Sequence, residues 1–340
     1  MIRTFPNEVW LPVLAALLVS LATAAADAVA AVPKTTPDIR ATPPAMPTEV
    51  EVAGFVIDIV KISGADQSFT GDASMLARWK DPRVAAQLGP GTHPLDDVWH
   101  PLIAIANIRN VKTMLPDVVA VDADGTITYR QRVTGEFSAH FDLHEFPKDK
   151  QKIAIQFVAR GNSAKQVRLA PLPELTGRAK EFTISDWTVG KAEWREAPYD
   201  LPGLDLVLPG LKLEFEARRL VGYYIGTIVV TAGIILCMAS LVFWLGLEAI
   251  NPRISISVTS MLTLVAHRFV VQSQLPRLPY LTKMDHFLLG AALLVLVGLV
   301  GVVTVHKLGA SDKEKAQKLN NILRWLHPLA FLGLLSIVIF

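Results

Sequence analysis

The chain has almost no cysteine. Cys237 is the only one among 340 residues, so no intramolecular disulfide can staple the fold. A domain of about 170 residues can build a core without one. Cys237 itself lies in an apolar run, where a thiol ordinarily acts as a small packing group. An excess of one charge is also missing. Lys and Arg number 33 against 31 Asp and Glu, a net charge of +2, which offers no electrostatic footprint for nucleic acid. No nucleophile stands beside a base, and no histidine cluster has metal-ligand spacing. His140 and His144 are four apart in strand or loop sequence, where that spacing does not bring them together. These absences argue against an enzyme, a cofactor and a nucleic-acid partner.

What the chain has is apolar sequence, 51% of all residues, and it is concentrated. Residues 220–245, 253–273, 284–305 and 319–340 are four candidate membrane spans. Residues 1–30 carry Arg3, a short apolar run from Trp10 to Ala22 and then alanines, the pattern of a secretory signal peptide. Residues 31–48 read as a proline-rich linker. From 49 to 219 the chain alternates in strand fashion, most clearly in VEVAGFVIDIVKI, HPLIAIANI, VVAVDADGTITYRQRV, QKIAIQFVAR, EFTISDWTVGKAEW and LKLEFEARR. Asp124-Gly125 marks a hairpin turn, and only 82–88 suggests a helix. About ten short strands predict an antiparallel β-sandwich, here followed by a four-helix transmembrane bundle. Lys307, Lys313, Lys315 and Lys318 in the 306–318 loop, against Arg277 and Lys283 in 274–283, place the sandwich outside.

The second span is too polar on one side for a lipid anchor. At helical spacing Ser255, Thr259, Leu262, Ala266, Phe269 or Val270, and Ser273 form one stripe. Ile254, Ile256, Val258, Met261, Leu264 and Val265 occupy the other faces. Hydroxyls followed by an apolar constriction suit a gated pore. Hydroxyls packed against neighbouring helices produce the same pattern. His267 and Arg268 point away from the stripe, and Asp285 is a partner for Arg268 by position.

Several motifs in order resemble the pentameric ligand-gated ion channels, in particular their bacterial branch. Trp99-His100-Pro101, followed by Ile103, Ile105 and Asn107, is similar to the family's Trp-x-Pro strand. Phe146-Pro147-Lys148-Asp149 resembles its Phe-Pro-x-Asp turn, without the flanking cysteines. Arg218-Arg219 precedes the first span, and Leu275-Pro276-Arg277-Leu278-Pro279-Tyr280 resembles the loop between the second and third spans. The resemblance covers residues 49–340.

It implies a homopentamer, in which four identical subunits join this one in a lipid bilayer. A small-molecule agonist or protons would open a pore for monovalent ions. The sandwich, 49–219, would stand in the periplasm of a bacterial inner membrane, on a membrane part, 220–340. The pore would be lined by Asn251, Ser255, Thr259, Leu262, Ala266, Phe269, Val270 and Ser273, with Leu262 as the central gate. Asp66, Phe146, Pro147, Asp149, Arg218 and Pro276 would couple the two parts. Trp79, Tyr129, Arg160, Trp187, Trp194, Tyr199 and Asp200 would contribute to the ligand site, three of these aromatics as a box for a cation. The inner mouth reads Ile250-Asn251-Pro252-Arg253 with no acid but nearby Glu248, which leans towards anion or weakly selective conduction. The rival reading is a membrane-anchored periplasmic sensor without an open pore.

Overall fold

The computed structural model describes residues 38–339 apart from 202, 204 and 273–276. The expected signal peptide, the start of the linker, Ser273 and Pro276 lie outside the described residues.

The strands are β1 (Thr48–Ser63), β2 (Ser68–Lys80), β3 (Gly91–Pro94), β4 (Ile103–Ile105), β5 (Ile108–Thr113), β6 (Val118–Val121), β7 (Thr126–Ser138), β8 (Lys150–Ala159), β9 (Val167–Pro171), β10 (Gly177–Arg178), β11 (Trp187–Glu196), β12 (Tyr199–Leu201), β13 (Leu206–Leu208) and β14 (Gly210–Arg219). One sheet runs β10-β1-β2-β7-β6-β3, with β9 also on β1 and β5 also on β7; a second runs β11-β14-β8-β4. Val50, Val52 and Ile59 from the first sheet and Ile153, Ile155, Phe157, Leu213 and Phe215 from the second share one core. Most of their neighbours along the strand are half-buried or exposed, because successive strand residues face opposite ways. The sheets come so close at Gly54 that a Cβ there would stand 2.8 Å from Leu213 Cδ2.

The sandwich is mixed rather than antiparallel throughout. β9 and β10 return from the second sheet and run parallel to β1, which a crossover allows and a hairpin does not. The turn between β6 and β7 holds Gly125 at φ 81°. A Cβ there would also lie 2.6 Å from Pro82 Cα, so only glycine fits both the turn and its neighbour. Asn107 turns the chain from one sheet to the other. Its Nδ2 donates to the Ser138 and Ala154 carbonyls, and its Oδ1 accepts from Gln156 N.

A short helix, α1 (Pro82–Gln87), lies within the sandwich. Four long helices follow: α2 (Gly222–Trp244), α3 (Ile250–Gln272), α4 (Lys283–Ser311) and α5 (Lys313–Ile339). Among the described residues, α2, α3 and α4 are long and apolar enough to cross a membrane. The fourth expected span is helical as α5, with Lys315, Lys318, Asn320, Asn321 and Arg324 in its first half. The expected loop at 306–318 is also mostly helix. α4 continues to Ser311, and Asp312 alone interrupts the chain while its carboxylate caps the Lys315 N–H. Cys237 is exposed on α2 and does not pack within this chain.

Candidate functional site

The first candidate surface is one side of α3. Arg253, Ser257, Ser260, Leu264 and Val271 are its buried residues, and at about 100° per residue they fall within one narrow stripe. Asn251, Ser255, Thr259, Leu262, Ala266, Phe269 and Val270 are exposed on the diametrically opposite side. Exposure reaches 66% at Leu262 and falls to 2% at Leu264. The hydroxyls divide the same way. Ser257 and Ser260 donate to the carbonyls of Arg253 and Ile256, one turn back in their own helix. Glu248 does not join this side. It lines a cavity with His306, Gly309 and Lys313.

His267 and Arg268 flank the buried stripe. The His267 Nε2 lies 3.1 Å from the Ile228 carbonyl, inside a π-helical turn of α2 at Ile225–Val229. Such turns widen the hydrogen-bond ladder and favour a side-chain partner. Arg268 does not pair with Asp285 as expected. The Asp285 carboxylate closes a capping box by accepting from Thr282 N and Thr282 Oγ1 at 3.0 and 2.8 Å, so helix capping has claimed it.

The second candidate is the junction of sandwich and helices. Here the structure selects Arg219, not Arg218. Arg219 Nε and Nη2 donate to the two Asp149 oxygens at 2.7 and 3.1 Å, and Nη1 donates to Tyr224 Oη at 3.0 Å. The side chains of this ion pair are 6% and 1% exposed. The guanidinium also lies 4.2 Å from the Trp187 ring centroid and 5.1 Å from that of Phe146. Burial alone would lower its pKa, but the Asp149 hydrogen bonds and charge outweigh burial and hold it above the ordinary value. Arg218, one residue earlier on β14, faces the other way. It is exposed and pairs with Glu216. Asp66 does not reach either arginine; it accepts from Ser63 Oγ and Lys61 Nζ on the surface.

Phe146 and Pro147 are buried in the same loop as Asp149. That loop docks on the turn leading into α4. Leu143 N donates to Tyr280 Oη at 3.1 Å, and the His144 ring stacks on Tyr280 at 3.7 Å. Lys283 N donates to the His144 carbonyl, and Lys283 Nζ meets Glu145 Oε2 at 2.6 Å. Sequence reasoning missed Tyr280, His144, Glu145 and Lys283 as contact residues. Tyr280 lay within a quoted motif; Glu145 and Lys283 carried no signal beyond opposite charge.

The third candidate is a cavity of about 260 Å³ in the sandwich. It brings together Trp79, Tyr129 and Arg160 with His100 and Asp117. Tyr129 Oη donates to Asp117 Oδ1 at 2.7 Å. Burial first, and then this bond, push the tyrosine pKa up to about 12. Burial lowers the pKa of His100, against the charges of Asp96 and Asp117. The Trp79 indole N–H is buried without a partner. The other expected ligand residues lie elsewhere. Trp187 belongs to the junction, and Trp194, roughly 20 Å further along its strand, packs on Phe157 and donates to Thr176 Oγ1. Tyr199 and Asp200 sit on the β12–β13 hairpin. The aromatic box is therefore not assembled within this chain. No group of three or more metal-ligating side chains occurs among the described residues.

Two family models match the chain. Residues 35–198 match the neurotransmitter-gated ion-channel ligand binding domain, and 228–336 match the neurotransmitter-gated ion-channel transmembrane region. A proton-gated ion channel of Gloeobacter violaceus is 22% identical over 292 residues, covering 84% of this chain and 81% of that one. A gamma-aminobutyric acid receptor subunit beta of Lymnaea stagnalis is 25% identical over 315 residues, 83% of this chain and 61% of its own length. A gamma-aminobutyric acid receptor subunit beta-like protein of Drosophila melanogaster is 25% identical over 231 residues, 66% of this chain and 46% of its own. The chain thus spans less than two thirds of either of these two receptor subunits.

Proposed function

This chain belongs to the pentameric ligand-gated ion channels, the neurotransmitter-gated family, and from that premise we propose a homopentamer whose α3 helices line a central pore. It is a channel subunit and not an enzyme. It carries an N-terminal extramembrane ligand-binding domain on a multi-pass membrane region. The observation that carries the pore reading is the exposed side of α3, diametrically opposite the side that packs on its own bundle. Five copies turn Leu262 into an apolar ring, where water is unstable and ions are blocked by dewetting. Asn251, Ser255 and Thr259 lie below the ring, and Ala266, Phe269 and Val270 above it.

Agonist binds the sandwich and the junction transmits its effect to the pore. The Trp79–Tyr129–Arg160 cavity, with an acid and a base on its wall, supports a small polar agonist, and His100 gives protons a group to act on. Residues 1–30 act as a cleaved signal peptide, 31–48 as a linker, and the sandwich of 49–219 lies in the periplasm of a bacterial inner membrane, above spans drawn from 220–340. A neutral Asn251 at the inner mouth, with Glu248 in a cavity that Lys313 also lines, supports anion or weakly selective conduction. Reversal potentials in a NaCl gradient test that point, and a reversal near the sodium equilibrium potential defeats it.

The deciding experiment is current recording from purified protein in bilayers, with native mass measurement of the assembly. A pentamer with unitary currents is expected; a stable monomer, or a silent bilayer across a ligand and pH screen, favours a sensor without a pore. Leu262→Ser should raise spontaneous current, because a polar side chain unsettles the dry ring by on the order of 1 kcal/mol or more. Met261→Ser, off that face, should do much less.

A further inference from the structure

We propose that the sandwich-facing end of the helical region holds a phosphate-type anion between Arg268 and Arg277. The two arginines line one cavity of about 440 Å³ with Gln272, Tyr280 and Asp285. Its walls are the last turns of α3, the 277–281 turn and the first turn of α4.

The charge in this cavity does not balance. Two guanidiniums share the lining with one carboxylate, and Asp285 Oδ2 already accepts from Thr282 N and Oγ1. Among the described residues neither Arg268 nor Arg277 forms an ion pair, and the Arg268 Nε is buried with no hydrogen-bond partner. A buried donor on a charged group is costly to leave unmade. Two planar guanidiniums match an anion with several oxygens, which each can grip bidentately. The Gln272 amide adds donors at the rim. The shared chemistry is a phosphate, free or on a lipid headgroup. Arg268 stands about 6 Å below the end of α3, the depth at which a helix end meets the headgroups of a bilayer.

The site touches the coupling contacts directly. Tyr280, on its wall, is the residue that receives Leu143 N and stacks on His144. An anion clamping Arg268 to Arg277 fastens the end of α3 to the turn that carries Tyr280. Binding does not depend on whether α3 lines a pore, so the test reads binding and not current.

The test uses the full chain in detergent, with thermal unfolding read against added phosphatidylglycerol, phosphatidylcholine or inorganic phosphate. Phosphatidylglycerol should raise the midpoint well beyond phosphatidylcholine if the phosphate arrives on an anionic lipid; inorganic phosphate should do as much if the anion is free. Arg268→Gln with Arg277→Gln should weaken either effect at least tenfold in half-saturating concentration, and Arg277→Lys should retain part of it. Should the double variant not fold, phenylglyoxal labelling of the unmodified chain serves. Phosphate or phosphatidylglycerol should slow modification of Arg277 while exposed Arg218 reacts unchanged. An equal shift in the double variant, no preference for either anion, or unprotected Arg277 overturns the site.

Discussion

Two arginines, one at the sandwich junction and one at the opposite end of the helical region, are both buried and are held in opposite ways. Arg219 has a carboxylate on one side, a tyrosine hydroxyl on another and three aromatic rings around it. Arg253 is 0% exposed and has no acidic partner among the described residues. Its Nη2 donates to Asn320 Oδ1, its guanidinium lies 6.0 Å from the Phe243 ring, and Nε and Nη1 have no partner. Asn320 in turn donates to the Phe243 carbonyl at 2.9 Å, tying α5 to α2 and α3. The junction is thus a matched charge pair between a loop and a strand. The far end is a charge tolerated by neutral dipoles. Removing one member of a pair orphans a buried charge, whereas removing a lone charge orphans none.

That difference is most exposed by Arg219→Met. It leaves Asp149 buried without its cation, and the expected cost is about 3–5 kcal/mol, with agonist-evoked current lost. Denaturation midpoints and current recording check it; retention of both would mean that the pair is ornamental to the junction. Arg218→Ala sharpens the same point at the neighbouring position. Its partner Glu216 and Arg218 itself are both exposed, so little or no loss of stability is expected.

At the far end Asn320→Ala should cost about 1–3 kcal/mol, because the Phe243 carbonyl and Arg253 each lose a bond. Arg253→Met should cost less than Asn320→Ala, since no acid is left behind. A larger loss for Arg253→Met, measured by the same thermal unfolding, would reveal an acidic partner supplied by another subunit.

The smallest effect concerns acid. Burial depresses the pKa of His100 in the folded sandwich. The unfolded chain then binds more protons as pH falls below the ordinary histidine value of about 6.5. Stability contributed by neutral His100 is present above that pH and is lost as pH falls towards the depressed folded value. His100→Gln should flatten this part of the pH–stability curve, and an unchanged slope would assign it to another group.

Much of the architecture was legible because it is periodic. The α3 stripe, the turn at Asp124-Gly125 and the strands β1, β7, β8 and β14 follow from spacing that a few neighbouring residues set. β2 was not among the clear strands. Gly71, Asp72, Ala73 and Ser74 weaken its pattern, yet β1 and β7 flank it and satisfy both its edges. The choice between Arg218 and Arg219 was equally hidden. Adjacent residues point to opposite faces of a strand, and only the register against β8, with Arg218 opposite Lys150, decides which one turns towards Asp149.

The sequence alone therefore determined which segments alternate, which are apolar enough to cross a membrane, and which side of α3 is unlike the rest. These are properties of a few consecutive turns or strand repeats. The tertiary structure alone decided that β9 and β10 run parallel to β1, that Tyr129 meets Asp117 beside Trp79, and that Arg268 and Arg277 share one cavity with the single carboxylate of Asp285. Each of these is a meeting of groups distant along the chain, fixed by crossover and register, and no local periodicity encodes which distant partner a side chain will meet.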